Sequence, residues 1–466
     1  MEAIGEYLKK IESEKAAPVS PEQVVMLSPR QCVEMALTKN AKVAVAEDDL
    51  AAAQAKIGQA RSGLLPQASA STALIHTAFN ENNGPAKAAR IGKGLNQVFG
   101  LISGQFNPIS SLTSSASMSS LTPVKNLRKD SLTIKQVIYA GGQIRAAIRA
   151  SEFLAQSQEW RKEATLEDLE LETKRAYYDC LLARALVRVA ERSVKTFERQ
   201  LSDANQMFEV GMVSHFQVLR AETELGARKA EAVAAKNGAR LADANLLRIL
   251  VMPQDTPIDL EPKLEWLPYL APMNELVVYA NEHRPDILAL EKGIEAAKQD
   301  QERVRGEYKP KVASQLQYSN TDHGGLTTPD GWTASVGAEW ELVAGGRRKA
   351  ERAEAKARVS SLEHQLEDVQ RLVELDVTRS QIQIQDAMAK IQSERGTVDL
   401  AREGLRLAEL RFQEGVGTQT EVLDAELALT NAQTALVLAL HDYAVANASL
   451  ERATGKSWMK PEEPAK

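Results

Sequence analysis

The chain has 466 residues, of which 57 are basic and 63 are acidic, so its formal net charge is −6. This balance excludes the strongly basic surface of a nucleic-acid-binding protein and identifies no partner by charge alone. Apolar residues make up 44% and aromatic residues 5%, which is more typical of long helices and coiled coils than of a compact enzyme. The two cysteines, Cys32 and Cys180, fit neither a disulfide framework nor a zinc site.

Residues 1–26 are interpreted as an N-terminal extension. Residues 1–20 contain three lysines but lack the apolar core of a secretory signal peptide. We therefore expect that the chain is cytosolic, or that its leader has been trimmed or lies outside this reading frame. No stretch of about 18 apolar residues occurs, so no transmembrane helix is expected.

A first unit, residues 27–252, is predicted to combine long helices with two strands. Ser28 and Pro29 are residue types preferred at the N-cap and first turn of a helix. The loop in this unit is rich in Gly, Ser and Asn. In chain order, the predicted elements are a helix of about 35 residues, strands at about 66–77 and 131–140 with the long loop 80–131 between them, a long helix at 143–208 and a helix at 215–250.

A second unit, residues 273–455, is predicted to have the same organisation. It is joined to the first by residues 253–272, where five prolines predict an extended linker, and it is followed by a tail, 456–466. Its predicted elements after the first helix are strands at about 310–320 and 332–343, a long helix at 347–412 and a helix at 418–453.

Two self-matches show that the units are copies. Tyr139-Ala-Gly-Gly142 recurs as Val343-Ala-Gly-Gly346, and Phe208-Glu-Val-Gly211 recurs as Phe412-Gln-Glu-Gly415. Both matches have the same offset, 204 residues. A tandem repeat of this kind indicates one elongated body and not several unrelated domains.

The long helices carry a heptad seam. From Leu166 to Phe208 the small and apolar residues alternate spacings of three and four, and the second copy repeats the seam from Gln370 to Phe412 with three polar interruptions. The pattern predicts left-handed supercoiling against a neighbouring helix. Cys180 lies on the seam, so we interpret it as a small packing residue in preference to a reactive thiol.

The strand at 332–343 has a regular alternation of side chains. One face carries Trp332, Ala334, Val336, Ala338, Trp340 and Leu342, and the other carries Thr, Ser, Gly and Glu. Such a pattern over about ten residues, with tryptophans toward both ends, is required of a lipid-facing barrel strand, although a soluble sheet with one wet face also alternates. Four strands leave two edges, so a barrel would need several chains.

The sequence offers no catalytic centre. Its six histidines are scattered without metal-ligand spacing, and no phosphate-binding loop occurs. The glycine pairs that begin at Gly141 and Gly345 are interpreted as turns between a strand and a helix. We therefore predict no catalytic residue, metal or cofactor, and we expect that the chain is not an enzyme.

In the order of its motifs, the chain resembles the TolC-like outer-membrane efflux proteins from about Leu27 to Gly455. The matching motifs are Leu27-Ser28 with Ala36-Leu37 and Asn40, Arg284-Pro285-Asp286, the Ala-Gly-Gly turns, and Gly415-Val-Gly-Thr418 leading into Val422-Leu423-Asp424-Ala425. The resemblance implies a mostly α fold with a β-barrel part. Its long coiled-coil helices would form an α-barrel in the periplasm, and its four strands would contribute to a trimeric 12-stranded barrel in the outer membrane.

The resemblance also implies a function and partners. The homotrimer would be a passive exit duct of a tripartite efflux or type I secretion system, docked onto a periplasmic adaptor (membrane fusion) protein and an inner-membrane pump. Trp332 and Trp340 would belong to the belt that faces the outer-membrane lipid. The turn residues expected to face the adaptor are Val210, Gly211, Met212, Gly415 and Val416.

In the family, acidic side chains of the second copy line the periplasmic aperture, and the matching positions here are Glu421 and Asp424. Three chains would bring six carboxylates together, which should attract cations and raise the pKa of some of them. The family's closing links involve an aromatic, a basic and an acidic position, which here are Phe412, Gly417 and Gln217. Phe412 has no hydroxyl, Gly417 has no positive charge and Gln217 has no carboxylate, so these links are not expected here. We hypothesise instead that Arg220 contributes to closure by pairing with a carboxylate of the neighbouring copy.

The alternative is a soluble cytosolic coiled-coil scaffold. It is favoured by the absence of a visible leader and by helices that would suit any rod. It explains neither the alternation of the strand at 332–343 nor the duplicated order of elements.

Overall fold

The computed structural model describes residues 25–76, 126–211, 213–261, 272–322 and 330–455. Several predictions fall outside these ranges: nearly all of the N-terminal extension, most of the loop 80–131, half of the proline-rich linker, Met212 and the tail 456–466.

The same order of elements occurs twice in the described chain. In the first half the elements are β1 (Val25–Leu27), α1 (Pro29–Lys39), α2 (Ala41–Ser62), β2 (Gln67–His76), β3 (Asn126–Ala140), α3 (Gln143–Glu209) and α4 (His215–Ile249). In the second half they are β4 (Ile258–Leu260), α5 (Met273–His283), α6 (Pro285–Gly306), β5 (Lys311–Asp322), β6 (Gly331–Glu339), α7 (Arg347–Gln413) and α8 (Gln419–Thr454).

The first helix begins as predicted but is broken. Ser28 caps α1, since its hydroxyl accepts from the Gln31 backbone N–H while the Gln31 side chain accepts from Ser28 N. The expected single helix of about 35 residues is wrong, because Asn40 separates α1 from α2. The Asn40 side chain accepts from Lys42 N at 3.0 Å and donates to Ile249 O at 2.9 Å, so it competes with helical bonding at this point. In the second half Pro285 starts α6 directly after the break, as its fixed φ favours.

The long helices α3 and α7 each have 67 residues and end within one residue of the predicted limits. Their heptad seams are largely buried, including Leu169, Cys180 and Phe197 in α3 and Val377 and Ile391 in α7. Burial raises the pKa of the Cys180 thiol, which keeps it protonated and supports its interpretation as a packing residue. Phe208, the last seam position of α3, is exposed.

Four antiparallel strands form one sheet in the order β2-β3-β5-β6. The register brings apolar side chains into the same rows, since directly opposed residues share a face. One such row is Ala70, Leu132, Tyr318 and Trp332, and the next is Ala68, Ile134, Leu316 and Ala334. The row between them, on the other face, is Ser69, Thr133, Gln317 and Thr333. The sheet therefore has one apolar and one polar face.

The structure corrects the limits of two strands. β3 begins at Asn126, where the sequence predicted a loop, because it pairs residue by residue with β2 as far as His76. β6 ends at Glu339, so Trp340 and Leu342 do not extend its apolar face. The reason lies in β5, whose pairing starts at Lys311 opposite Glu339 and is preceded by a proline that has no N–H to donate.

A bulge interrupts the pairing of β3 with β5. The register shifts between Val137 and Tyr139, so Ile138 has no opposing residue and Tyr139 stands opposite Val312. The apolar face of β3 therefore continues through Tyr139.

The sequence did not predict the short strands β1 and β4. They pair in parallel, with Leu27 opposite Leu260. β4 lies in the predicted extended linker, whereas β1 spans the boundary between the predicted N-terminal extension and the first unit. The Tyr177 hydroxyl of α3 donates toward Leu27 O (3.2 Å) and Glu261 O (2.9 Å), which holds the ends of both strands. Three-residue strands between prolines carry too little alternation to be recognised in a sequence.

The chain divides into two compact units, and each draws on both repeats. The first comprises Met1–Glu47, Arg161–Ile287 and Asp368–Lys466, and the second comprises Asp48–Trp160 and Leu288–Glu367. The core of the first unit includes Cys32, Tyr177, Leu246 and Leu250, whereas the second contains the four-stranded sheet. Among the described residues, no helix is both long enough and apolar enough to cross a membrane.

Candidate functional site

The turns that end α3 and α7 lie in the first unit and are built on glycine. Gly211 has φ +78° and Gly415 has φ +73°, the left-handed region that favours glycine. The Gly211 N–H donates to Phe208 O at 2.9 Å, and the Gly415 N–H donates to Phe412 O at 3.1 Å. Beside each glycine stands a valine, Val210 and Val416, whose exposed fraction is 70% in both cases.

The second turn is tightly packed around residue 417. The Gly417 N–H donates to Arg411 O at 2.8 Å, and a Cβ on this glycine would lie 3.0 Å from Arg411 Cβ and 3.1 Å from Arg411 C. Phe412 is half-buried, and Gln217 has an Oε1 without a hydrogen-bond partner among the described residues. Within the described chain, the side chains of Phe412 and Gln217 are therefore not joined by a hydrogen bond.

Glu421 and Asp424 lie on the exposed side of the first turns of α8. Thr418 caps this helix, its hydroxyl accepting from the Glu421 N–H at 3.3 Å. The Glu421 carboxylate lies 3.6 Å from the Arg411 guanidinium. Residues three apart share a helix face, so both carboxylates are presented together and can attract cations.

Arg220 connects the two helix pairs. Its Nη1 donates to the Thr420 hydroxyl at 3.0 Å, which links α4 to the start of α8 directly beside Glu421. Within the chain, the partner of Arg220 is thus a hydroxyl, where a carboxylate was hypothesised. The bond remains a link between the first and second copy at the turn end.

Sequence reasoning missed two polar residues near the start of α8 that the structure buries, Gln419 and Glu426, in addition to Glu451 and Thr454 near its end. Burial raises the pKa of Glu426, Glu409 adds to this, and Arg199 and the Thr196 hydroxyl lower it by less. A heptad count along α8 would have found the first two, because 419, 422 and 426 follow the same three-and-four spacing as the seams of the long helices.

The motif Arg284-Pro285-Asp286 forms part of a buried ionic network in the first unit. The Arg284 guanidinium donates to both oxygens of Asp286 (3.0 and 2.6 Å), to Asp376 (3.4 Å) and to Ala453 O (3.4 Å). Burial raises the pKa of Asp286, but Arg284 outweighs this and holds it below its usual value.

Close to this motif, Arg452 of α8 pairs with two acids of α3. It contacts Glu167 at 3.1 Å and Asp168 at 2.6 Å. Burial raises the pKa of Glu167 to about 7 against the opposing effect of Arg452. A cavity of about 70 Å³ lies beside these residues. Among the residues that the structure describes, no group of three or more His, Cys, Asp or Glu side chains is arranged to hold a metal ion.

A second link between α3 and α8 involves histidine. His441 Nε2 lies 2.8 Å from an Asp179 oxygen, and Nδ1 lies 3.2 Å from Asp442. Burial opposes a charge on the imidazole, but the two aspartates outweigh burial and raise the pKa of His441 above 6.5.

The two tryptophans predicted for the lipid-facing belt occupy different environments in the second unit. Trp332 lies on the apolar face of the sheet, 59% exposed, with its ring centroid 5.3 Å from that of Tyr318. Trp340 lies beyond the end of β6, is exposed, and donates its indole N–H to Tyr308 O at 3.1 Å.

Duplicated pairs of long helices with tight glycine turns, joined to antiparallel strands with one apolar face, are the features that the resemblance to outer-membrane efflux channels implies. The chain belongs to the outer membrane efflux protein family, whose sequence profile matches residues 32–250 and 276–456. Family membership decides against the cytosolic scaffold and in favour of an outer-membrane channel.

Comparisons with individual proteins agree with this assignment. The chain is 26% identical over 399 residues to the outer membrane efflux protein BepC of Brucella suis biovar 1, covering 81% of this chain and 83% of that protein. It is 25% identical over 323 residues to the alkaline protease secretion protein AprF of Pseudomonas aeruginosa, covering 67% of this chain and 64% of that protein. The crystal structure of the outer membrane protein VceC of Vibrio cholerae has the same fold, with a TM-score of 0.73, 18% identity and coverage of 92% and 96%.

Proposed function

We propose that three copies of this chain form one duct, which conducts substrates passively from a periplasmic adaptor and an inner-membrane pump to the exterior. In this proposal the repeats, residues 27–252 and 273–455, each supply two strands to a shared barrel and one pair of long helices to a periplasmic tunnel. The names of the relatives cover both efflux, in BepC, and secretion, in AprF. The duct therefore fits a tripartite efflux or a type I secretion system.

The observation that carries the proposal is the four-stranded sheet with two edges. β2 and β6 lie at these edges, and one face of the sheet is apolar. In lipid, backbone N–H and C=O groups at an edge need a partner, and water is absent there to supply one. Four strands are too few for closure, since outer-membrane barrels have at least about eight. Sharing the barrel among copies pairs every edge.

The aperture residues support the same proposal. Glu421 and Asp424 stand at the turn end of α8 and are exposed in the single chain. In a trimer they would form a ring of carboxylates, with the Arg220–Thr420 hydrogen bond as a link beside it. Gly211, Gly415 and the exposed valines next to them offer apolar contacts to an adaptor.

The mass of the purified chain, measured by light scattering with and without detergent, tests the assembly. We expect a particle of three chains that requires detergent to remain dispersed. A monomer or dimer that stays dispersed without detergent would refute the shared barrel.

Conductance in planar bilayers tests the aperture. Glu421→Gln together with Asp424→Asn should reduce the preference for cations over anions several-fold, because the charged ring is removed. Glu34→Gln is the control, since Glu34 is an exposed acid of α1 that pairs with Arg30. An unchanged ion preference in the double variant would exclude these carboxylates from the aperture.

A further inference from the structure

One carboxylate near the turns is enclosed by neighbouring helices. Glu426 of α8 is 5% exposed, and its Oε2 has no hydrogen-bond partner among the described residues. The corresponding acid of the first repeat, Glu222 of α4, is exposed. An ionised carboxylate that is buried without full pairing is unfavourable, so the packing around Glu426 favours its neutral form.

The groups that face Glu426 come from two other helices. The Thr196 hydroxyl and the Arg199 guanidinium approach from α3, and Glu409 approaches from α7. Burial and the charge of Glu409 favour the neutral carboxyl of Glu426, whereas Arg199 and the Thr196 hydroxyl favour the carboxylate. The effects of burial and Glu409 are the larger, so the pKa of Glu426 is raised. The Glu426 carboxyl thus faces groups on both neighbours of α8.

Further buried polar atoms lie on the turn side of these helices. Both amide atoms of Gln200 in α3 and the Nε2 of Gln419 in α8 have no partner within the described chain. The middle of α7, by contrast, buries apolar side chains such as Ile384 and Ile391. Separating the helices near the turns would expose these polar groups to water, which can pair with them and so offsets part of the cost of exposing the apolar cluster of Phe197, Leu225 and Leu423.

We propose that Glu426 is a proton-controlled lock on α8: its neutral carboxyl keeps α8 packed against α3 and α7, and its ionisation releases α8 and opens the aperture. This inference rests on the duct proposed above. The O–H bond of the carboxyl breaks, the proton passes to solvent, and the carboxylate is hydrated as α8 moves. Since the packed state binds the proton more tightly, it is favoured at low pH and loses stability as pH rises.

The test is the probability of channel opening in planar bilayers between about pH 5 and 8. In the unmodified protein, opening should increase with pH, by about tenfold per chain for each pH unit between the pKa values of the packed and released states. Glu426→Gln, which resembles the neutral form, should open rarely and without pH dependence. Glu222→Gln, at the matched exposed position, should behave like the unmodified protein.

Two further variants test the lock without changing residue 426, so the test does not depend on whether the Glu426→Gln variant folds. Glu409→Gln removes a like charge and should move the opening midpoint to lower pH, whereas Arg199→Gln removes a counter-charge and should move it to higher pH. A trimer that conducts with no pH dependence, or a Glu426→Gln variant that keeps it, overturns the lock and leaves the duct intact. A chain that forms no conducting particle overturns both.

Discussion

The ion pairs of Arg284 allow a quantitative test of the packing in the first unit. Its guanidinium is 8% exposed and binds Asp286 with two hydrogen bonds, while a third carboxylate oxygen, of Asp376, lies 3.4 Å away. We predict that Arg284→Ala destabilises the chain, because it leaves Asp286 partly buried without its counter-ion and removes a donor from Ala453 O.

The magnitude follows from burial. Breaking a buried ion pair by removing one partner costs about 3–5 kcal/mol. Here the Asp286 side chain is 34% exposed and that of Asp376 is 45% exposed, so water screens both after the substitution. Exposed pairs contribute at most about 1 kcal/mol. We therefore expect a loss between these two limits, about 2–3 kcal/mol at neutral pH.

The pH dependence gives the prediction a second readout. Arg284 lowers the pKa of both Asp286 and Glu167, so its removal lets both values rise. Protonation then relieves the unpaired charge, and the difference between variant and unmodified protein should be smaller at pH 5 than at pH 8.

The assay is unfolding of the detergent-solubilised chain by urea, followed by helical circular dichroism at both pH values. Arg406→Ala is the matched control, since Arg406 also makes two hydrogen bonds to one carboxylate, that of Glu403, but on an exposed surface. It should lose much less stability than Arg284→Ala, because water screens an exposed pair. Equal losses in the two variants, or a loss for Arg284→Ala that does not change with pH, would refute the reasoning.

Three other predictions can be measured in the same way. His441→Gln should destabilise the chain at acid pH and have little effect at high pH. The aspartates raise the pKa of His441, so its stabilising contribution is complete below about pH 6.5 and is lost as pH rises through the pKa of the folded chain. A loss of stability that grows with pH would contradict the assignment. Phe197→Ala should cost about 3 kcal/mol, since its ring is buried against Leu225 and Leu423, and a cost below 1 kcal/mol would show that the site collapses around the cavity. Gly415→Ala should destabilise by about 1 kcal/mol because of its positive φ, whereas Gly238→Ala, inside α4 with open space around it, should stabilise slightly; the same sign for both would be inconsistent with the turn geometry.

Local patterns in the sequence were sufficient to predict the long helices and most of the seams that they bury. The seams of α3 and α7 repeat every seven residues, and periodicity of that kind survives any arrangement of neighbours. Ser28, Gly211 and Gly415 marked a helix start and two turns because capping and positive φ depend on single residues and their immediate neighbours. The tandem motifs likewise indicated the family, because their order and spacing are properties of the sequence alone.

Other features depended on contacts between residues far apart in the chain. The end of β6 was set by the start of β5, the extension of β3 by its pairing with β2, and the strands β1 and β4 by each other. The backbone groups of a strand need a hydrogen-bonding partner, and the local sequence of the strand does not determine which segment that partner is.

The candidate site divides in the same way. Glu421 and Asp424 were found by their place in a motif, whereas the bond from Arg220 to Thr420 joins residues 200 positions apart. The burial of Glu426 was decided by α3 and α7 together, since an acid on a helix is exposed unless neighbouring elements cover it. Sequence by itself therefore determined where the long helices and their turns form. Tertiary packing determined which of their polar groups are buried, and burial makes the pKa of such a group depend on neighbouring charges.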